Sequence, residues 1–233
     1  DITLIDALTI SCNTAYAQLG VSLGPDALKR EAEAFGFGTT FKLPNAGSGD
    51  PQIQIAPSET GDMTDSNGQP DPNFVAQSSI GQYDVRMTPM QGALIAETVA
   101  LGGVQKAPYI VQKVQDSDLK TIYDAGDSGV GTSRTPITPE VAAQLQTMMQ
   151  SVVQNGTATG AKISGYVVAG KTGTAQNVAG AENHRWFIGF ASRNGKPIAA
   201  VAVLLVNAGN LGHKGAPTIA GDVLRAAIRA EGK

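Results

Sequence analysis

The 233-residue sequence is poor in the side chains that build disulfides and metal sites: one cysteine, Cys12, and two histidines, His184 and His213. A single cysteine excludes an internal disulfide framework and any cysteine-rich zinc site. With two histidines there is no HExxH, and no histidine-based metal site is expected. Long apolar runs are missing too. The longest, Ile198 to Val206, is nine residues, far below the ~20 that span a bilayer. No signal-peptide pattern stands at Asp1-Ile2-Thr3, so any export signal is expected outside these residues. Basic clusters are absent, and 17 Lys+Arg against 20 Asp+Glu give a net charge of −3. Nucleic acid is therefore not an expected partner.

What is present is a hydrophobic fraction of 42%, enough for a packed core, with 28 Gly and 12 Pro that imply much loop and turn. Leu4, Ile5, Leu8 and Leu19 carry an apolar face interrupted at Ser11-Cys12-Asn13-Thr14, read as two helical pieces meeting at a polar break. Asp26 to Phe35 predicts a short helix stopped by Gly36. Residues 44 to 73 form a Pro-rich excursion in which Ile53, Ile55 and Met63 favour partial packing. Thr88-Pro89-Met90-Gln91 predicts a capped helix start, with Gln91 closing a capping box and the helix ending near Gly102-Gly103.

Tyr109–Val114 and Thr121–Tyr123 predict a hairpin turning at Asp116-Ser117-Asp118. A helix from Thr138 to Asn155 should bury Val141, Leu145, Met148 and Val152. Strands are expected at Tyr166–Ala169, Trp186–Phe190 and Ile198–Val206, the last central because it is apolar on both faces. Ile219, Val223 and Ala227, with Leu224 and Ile228, predict a closing helix. Helices, then strands, then a helix make an α+β plan with helices on an antiparallel sheet.

Gly165 to Thr172 matches the phosphate-loop pattern G-x-x-x-x-G-K-[ST]. That loop needs a flexible glycine-rich turn followed by a helix. Here Tyr-Val-Val-Ala fills the gap, which suits a strand, and no helical period follows. Read as a strand from Tyr166 to Gln176, the same residues put Lys171 on one face and Thr172 and Thr174 on the other, with Gly173 leaving the edge bare. A cation, two hydroxyls and an open backbone edge suit an extended peptide bearing a carboxylate. Ser11-Cys12-Asn13 adds a hydroxyl and an amide, although a Ser-x-Asn triplet alone reads as a helix-capping turn.

Taken together, Ser11-Cys12-Asn13 and Lys171-Thr172-Gly173 resemble the S-x-N and K-T-G elements of the penicillin-binding proteins and serine β-lactamases. Gln77–Gln82 running into Val85–Gln91, Asn155-Gly156-Thr157-Ala158, Lys171–Gln176 and His184–Phe190 resemble further family segments. The match covers almost the whole chain. It resembles the transpeptidase domain of a class B penicillin-binding protein, of the cell-division or elongation kind.

The resemblance implies a β-lactamase/transpeptidase-like fold over residues 1–233, with a helical region at about 1–105 and a sheet-forming region at about 160–233. It implies serine acyl transfer without metal or cofactor. Ser11 would pass a proton, Asn13 hold a substrate amide, and Lys171 add positive potential. Thr172 and Thr174 would bind the substrate carboxylate beside Gly173, with the Thr174 N–H in the oxyanion hole. Implied partners are peptidoglycan stem peptides, β-lactams, and cell-division or elongation proteins. The implied location is the extracytoplasmic face of the bacterial cytoplasmic membrane, with the anchor outside this chain. A D,D-carboxypeptidase, a β-lactamase and a non-turnover β-lactam sensor remain open alternatives.

The family's nucleophile is the serine of S-x-x-K, which should open a helix. The only Ser-x-x-Lys is Ser117–Lys120, in the expected hairpin turn, and it is rejected. The nucleophile and the first strands of the sheet are therefore expected upstream, in a missing N-terminal part of the same protein. Cys12 is expected to be a buried free thiol and His184 to cap a strand. His213 has no assigned role.

Overall fold

The computed structural model describes residues 1–43, 53–125, 133–176, 180–209 and 215–231. The start of the Pro-rich excursion and His213 lie outside the described residues. Three helices come first: α1 (Leu4–Thr9), α2 (Asn13–Leu23) and α3 (Pro25–Ala34). Gly24, at φ +82, ends α2 and hands the chain to Pro25 at the first position of α3. Only glycine adopts that conformation at little cost.

A two-stranded ribbon of β1 (Phe41–Leu43) and β2 (Ile53–Ile55) follows, then α4 (Pro72–Ser78) and α5 (Pro89–Ala100). Met63 in the intervening segment is buried, as its apolar character suggested. The Thr88 hydroxyl accepts the Gln91 N–H at 3.2 Å and caps α5. The capping box does not form. Gln91 is fully buried and its amide donates to Phe35 O at 2.8 Å, while the Thr88 N–H is taken by Ser58 Oγ at 3.1 Å. With the Thr88 N–H taken, Gln91 Oε1 stays buried without a partner among the described residues, while its Nε2 ties α5 to the end of α3.

The hairpin pairs β3 (Lys113–Gln115) with β4 (Thr121–Asp124). It is shorter than expected because Tyr109 and Ile110 stay exposed and outside the strand. α6 (Pro139–Asn155) is capped by Thr138, leads through a 3-10 turn at Thr159–Ala161, and is followed by β5 (Val167–Ala175), β6 (His184–Arg193) and β7 (Lys196–Leu205). α7 (Gly215–Glu231) comes last among the described residues.

β5, β6 and β7 form one antiparallel sheet in that order. On one face Val168, Phe187 and Val203 pack with Val152 of α6 and Ala220 and Leu224 of α7. On the other, Ala169 and Phe190 meet Val99 and Ala100 of α5 and Met149 of α6. Helix, sheet and helix thus form three layers, an α+β architecture. Gly170 and Gly189 face each other across the β5–β6 ladder because the Phe187 ring occupies the space a Cβ would need at either position.

Four expected patterns shift. β6, not β7, is the central strand, and the outer edge of β7 has no partner among the described residues. α7 buries Ala216, Ala220 and Leu224, while Ile219 and Val223 are 41% and 47% exposed. α6 buries Ala142, Met149, Val152 and Val153, with Val141 outward. Leu4 and Leu19 are exposed also, and Ala7 and Thr9 are the buried residues of α1. On α7 the alanines at 216 and 220 allow a close approach around Leu224, and on α6 Ala142 does so beside Met149, Val152 and Val153.

Candidate active site

The turn between α1 and α2 is built by a helix-ending motif. Ser11 N–H bonds Leu8 O at 3.1 Å and Cys12 N–H bonds Ala7 O at 2.8 Å. This is the paired closure that usually places glycine in the left-handed position. Here that position is Ser11, at φ +60. A non-glycine residue there costs on the order of 1 kcal/mol. The turn is pinned from behind. Thr9 Oγ1 bonds Ser151 Oγ on α6 at 2.8 Å, and a Cβ on Gly156 would stand 2.1 Å from Thr9 O. Gly156 therefore lets α1 lie against the end of α6.

β5 supplies the opposite wall. Lys171 Nζ donates to Ser11 Oγ at 2.7 Å and to Thr172 O at 2.8 Å, joining segments 160 residues apart. Burial pushes the Lys171 pKa down from 10.5 to about 8, because a desolvated ammonium is disfavoured. No carboxylate of the described residues lies within ion-pair distance of it. The site thus holds a positive charge that no group among the described residues neutralises, inside a chain of net charge −3.

Ser11, Asn13, Lys171, Thr172, Gly173 and Thr174 all line one open cavity of about 460 Å³. Every site residue anticipated from the sequence is brought to that one place. The strand alternation also holds: Lys171 pairs with Ile188, while Thr172 and Thr174 pair with Phe187 and Arg185. Two further residues belong to this constellation. Thr157 Oγ1 lies 2.6 Å from Thr172 Oγ1, and Arg185 Nη1 donates to Thr174 Oγ1 at 2.7 Å. Both hydroxyls of the Lys-Thr-Gly-Thr stretch are thereby oriented. Arg185 was within reach of sequence reasoning once the β5–β6 register was known. Thr157 lay in the family-like segment Asn155–Ala158, but nothing in the sequence assigned it a role at the site.

Other motifs resolve differently. Gly165 to Thr172 runs into strand β5 with no helix after it, so no phosphate loop is formed. Ser117 lies in the β3–β4 turn, where Asp116 Oδ1 accepts the Asp118 and Lys120 N–H groups, which is turn chemistry. His184 opens β6 and its Nδ1 accepts the Asn207 N–H at 3.0 Å, the strand-end role expected of it. Cys12 is a free thiol as expected but not a buried one. It is half-exposed at the N-cap of α2, 3.3 Å from Thr14 Oγ1, and that hydrogen bond is the main cause of its lowered pKa. Among the described residues no helix is long and apolar enough to cross a membrane.

Residues 1–225 match the family described as penicillin binding protein transpeptidase domain. The peptidoglycan D,D-transpeptidase PbpA of Mycolicibacterium smegmatis is 37% identical over 233 residues, covering 98% of this chain and 44% of that protein. The crystal structure of PBPA from Mycobacterium tuberculosis superposes with a TM-score of 0.79 at 34% identity, covering 100% of this chain and 52% of that one. The penicillin G acyl-enzyme complex of penicillin-binding protein A from M. tuberculosis has a TM-score of 0.76 at 31% identity, covering 100% and 49%. This chain spans about half the length of these relatives.

The buried lysine has a measurable consequence. With its pKa held below 10.5, the folded chain binds this proton less tightly than the unfolded chain. The penalty is complete below pH 8, fades between pH 8 and 10.5, and is gone above. Lys171→Met is expected to raise stability by about 1 kcal/mol at pH 7, after the loss of two hydrogen bonds is set against the relieved desolvation. Urea unfolding at rising pH should show that gain disappearing. A difference that stays constant with pH would contradict the assignment.

Proposed function

The chain belongs to the penicillin-binding protein transpeptidase family, and from that premise we propose that it is the C-terminal part of a peptidoglycan D,D-transpeptidase. The activity is serine acyl transfer that cross-links stem peptides and is blocked by β-lactams. The observation that carries this reading is the 2.7 Å bond between Lys171 Nζ and Ser11 Oγ beside the Thr172 and Thr174 hydroxyls. We read residues 1–105 as its helical region and 160–233 as its sheet-forming region. The enzyme works on the extracytoplasmic face of the cytoplasmic membrane, with division or elongation proteins as partners and its anchor outside these residues.

The chemistry follows from the cleft. A serine hydroxyl attacks the carbonyl between two D-alanines, and its proton passes to a neighbouring base. Ser11, hydrogen-bonded to a cation, hands a proton to the leaving amine as the C–N bond breaks. Asn13 holds the substrate amide. Thr172, Thr174 and the positive charge of Lys171 hold the terminal carboxylate, helped by Arg185 through its bond to Thr174. The Thr174 carbonyl points to the free edge of β5, since it is bonded there by a side chain from outside the sheet. By alternation the Thr174 N–H points the same way, where it serves as one oxyanion donor, worth ~10²–10³ in rate. The amine of a second stem peptide then displaces the serine and forms the cross-link.

No Ser-x-x-Lys opens a helix within the described residues, so the nucleophile is proposed to come from a preceding segment. A cavity of about 710 Å³ supports a seat for it. Its walls include Phe37, Met87, Lys171, Trp186, Ile188 and Leu204. A helix laid there would cover this apolar sheet face and bring a serine to the Ser11–Lys171 pair. Strands from the same segment would pair with the outer edge of β7, which has no partner among the described residues.

Two outcomes test this reading. A fluorescent penicillin should label the longer protein at one serine and leave these 233 residues unlabelled; stoichiometric labelling of the shorter chain would contradict it. Trp186 is the only tryptophan of these 233 residues, so in the longer protein with any other tryptophan replaced by phenylalanine its emission should shift to shorter wavelength. Identical spectra would place the upstream helix elsewhere.

A further inference from the structure

The free edge of β5 is already occupied. The Gln82 side chain lies across it, with Nε2 donating to Thr174 O at 2.7 Å and Oε1 accepting the Gln176 N–H at 3.3 Å. A side-chain amide presents one carbonyl and one N–H, as a peptide unit does, and only this orientation satisfies both contacts. The groups it covers are those an added strand would use to pair with β5. Thr174 and Gln176 are both exposed, so uncapping returns these groups to water rather than leaving them unpaired.

The backbone beneath Gln82 is fixed. Gly81 and Tyr83 on either side are both left-handed, at φ +73 and +60. Gln82 N–H bonds Gln77 O at 3.0 Å, and the Tyr83 ring stacks on Phe74 at 4.4 Å. The part able to move is the glutamine side chain, through rotations that need no backbone change. It lines the 460 Å³ cavity, which shares Lys171–Thr174 with the 710 Å³ one.

We propose that Gln82 is a substrate-displaced cap: its amide mimics a peptide on the β5 edge and leaves when the acylamino group of the donor pairs with Thr174 O. The inference rests on the transpeptidase reading and adds a selectivity to it. Ligands with an acylamino N–H must displace Gln82, whereas ligands without one need not. The cap therefore slows the first class relative to the second.

The test uses the longer protein that carries the nucleophile, with two reagents. Penicillin G bears an acylamino side chain; a carbapenem does not. Gln82→Ala should speed acylation by penicillin G roughly threefold to tenfold, the size expected for releasing one or two exposed hydrogen bonds, with the carbapenem rate unchanged. Gln82→Glu, which cannot donate to Thr174 O, should act in the same direction. Equal changes with both reagents, or slower acylation by penicillin G alone, would overturn the cap. If both variants lose reactivity toward both reagents, Gln82 supports the fold and the proposal fails. If the wild-type protein reacts with neither, the transpeptidase reading itself fails and takes the cap with it.

Discussion

The site depends on one hydrogen bond between Lys171 Nζ and Ser11 Oγ, which closes a loop of 160 residues at 2.7 Å. Both partners are held at some expense. Ser11 sits in a backbone conformation that glycine would occupy more easily. Lys171 keeps an ammonium in a half-dry cleft with no carboxylate to match it among the described residues. Neither arrangement suits stability alone. Each suits a site that must receive an anion and move a proton.

The surrounding packing can be read as support for that bond. Phe187, buried between α6, α7 and the sheet, fixes β5 against β6 through two facing glycines. Gly156 and the Thr9–Ser151 bond fix α1 against α6. α6 also packs along β5, so the Ser11 turn and Lys171 are referred to the same helix. Burial of a phenylalanine contributes ~1.5–3 kcal/mol, enough to outweigh the strain at Ser11.

Local chemistry was the legible part of the sequence. Thr88 and Thr138 cap their helices as Thr-Pro starts should, and the Lys-Thr-Gly-Thr strand follows from Val167 and Val168 standing where a loop would need glycines. Ser11 and Lys171 could be paired only by family resemblance, since nothing local links them. What failed depends on tertiary competition. Gln91 left its capping box for a buried carbonyl. Ile219 and Val223 looked like a core stripe, yet small alanines let α7 approach the sheet on another face. β7 reads as central because it is apolar on both faces, but it lies at an edge here. Thr157 and Arg185 lay in family-like segments, but their contacts with Thr172 and Thr174 became visible only when the β5 register and the end of α6 were set in space.

The most direct measurement is a double-mutant cycle on Ser11 and Lys171 in the longer protein, read as the second-order rate of acylation by a penicillin. If the two act as one unit, Ser11→Ala and Lys171→Ala each lose on the order of 10²-fold, and the double variant is no slower than the slower single one. If the two losses multiply, the groups act independently, and the bond between them is not what assembles this site.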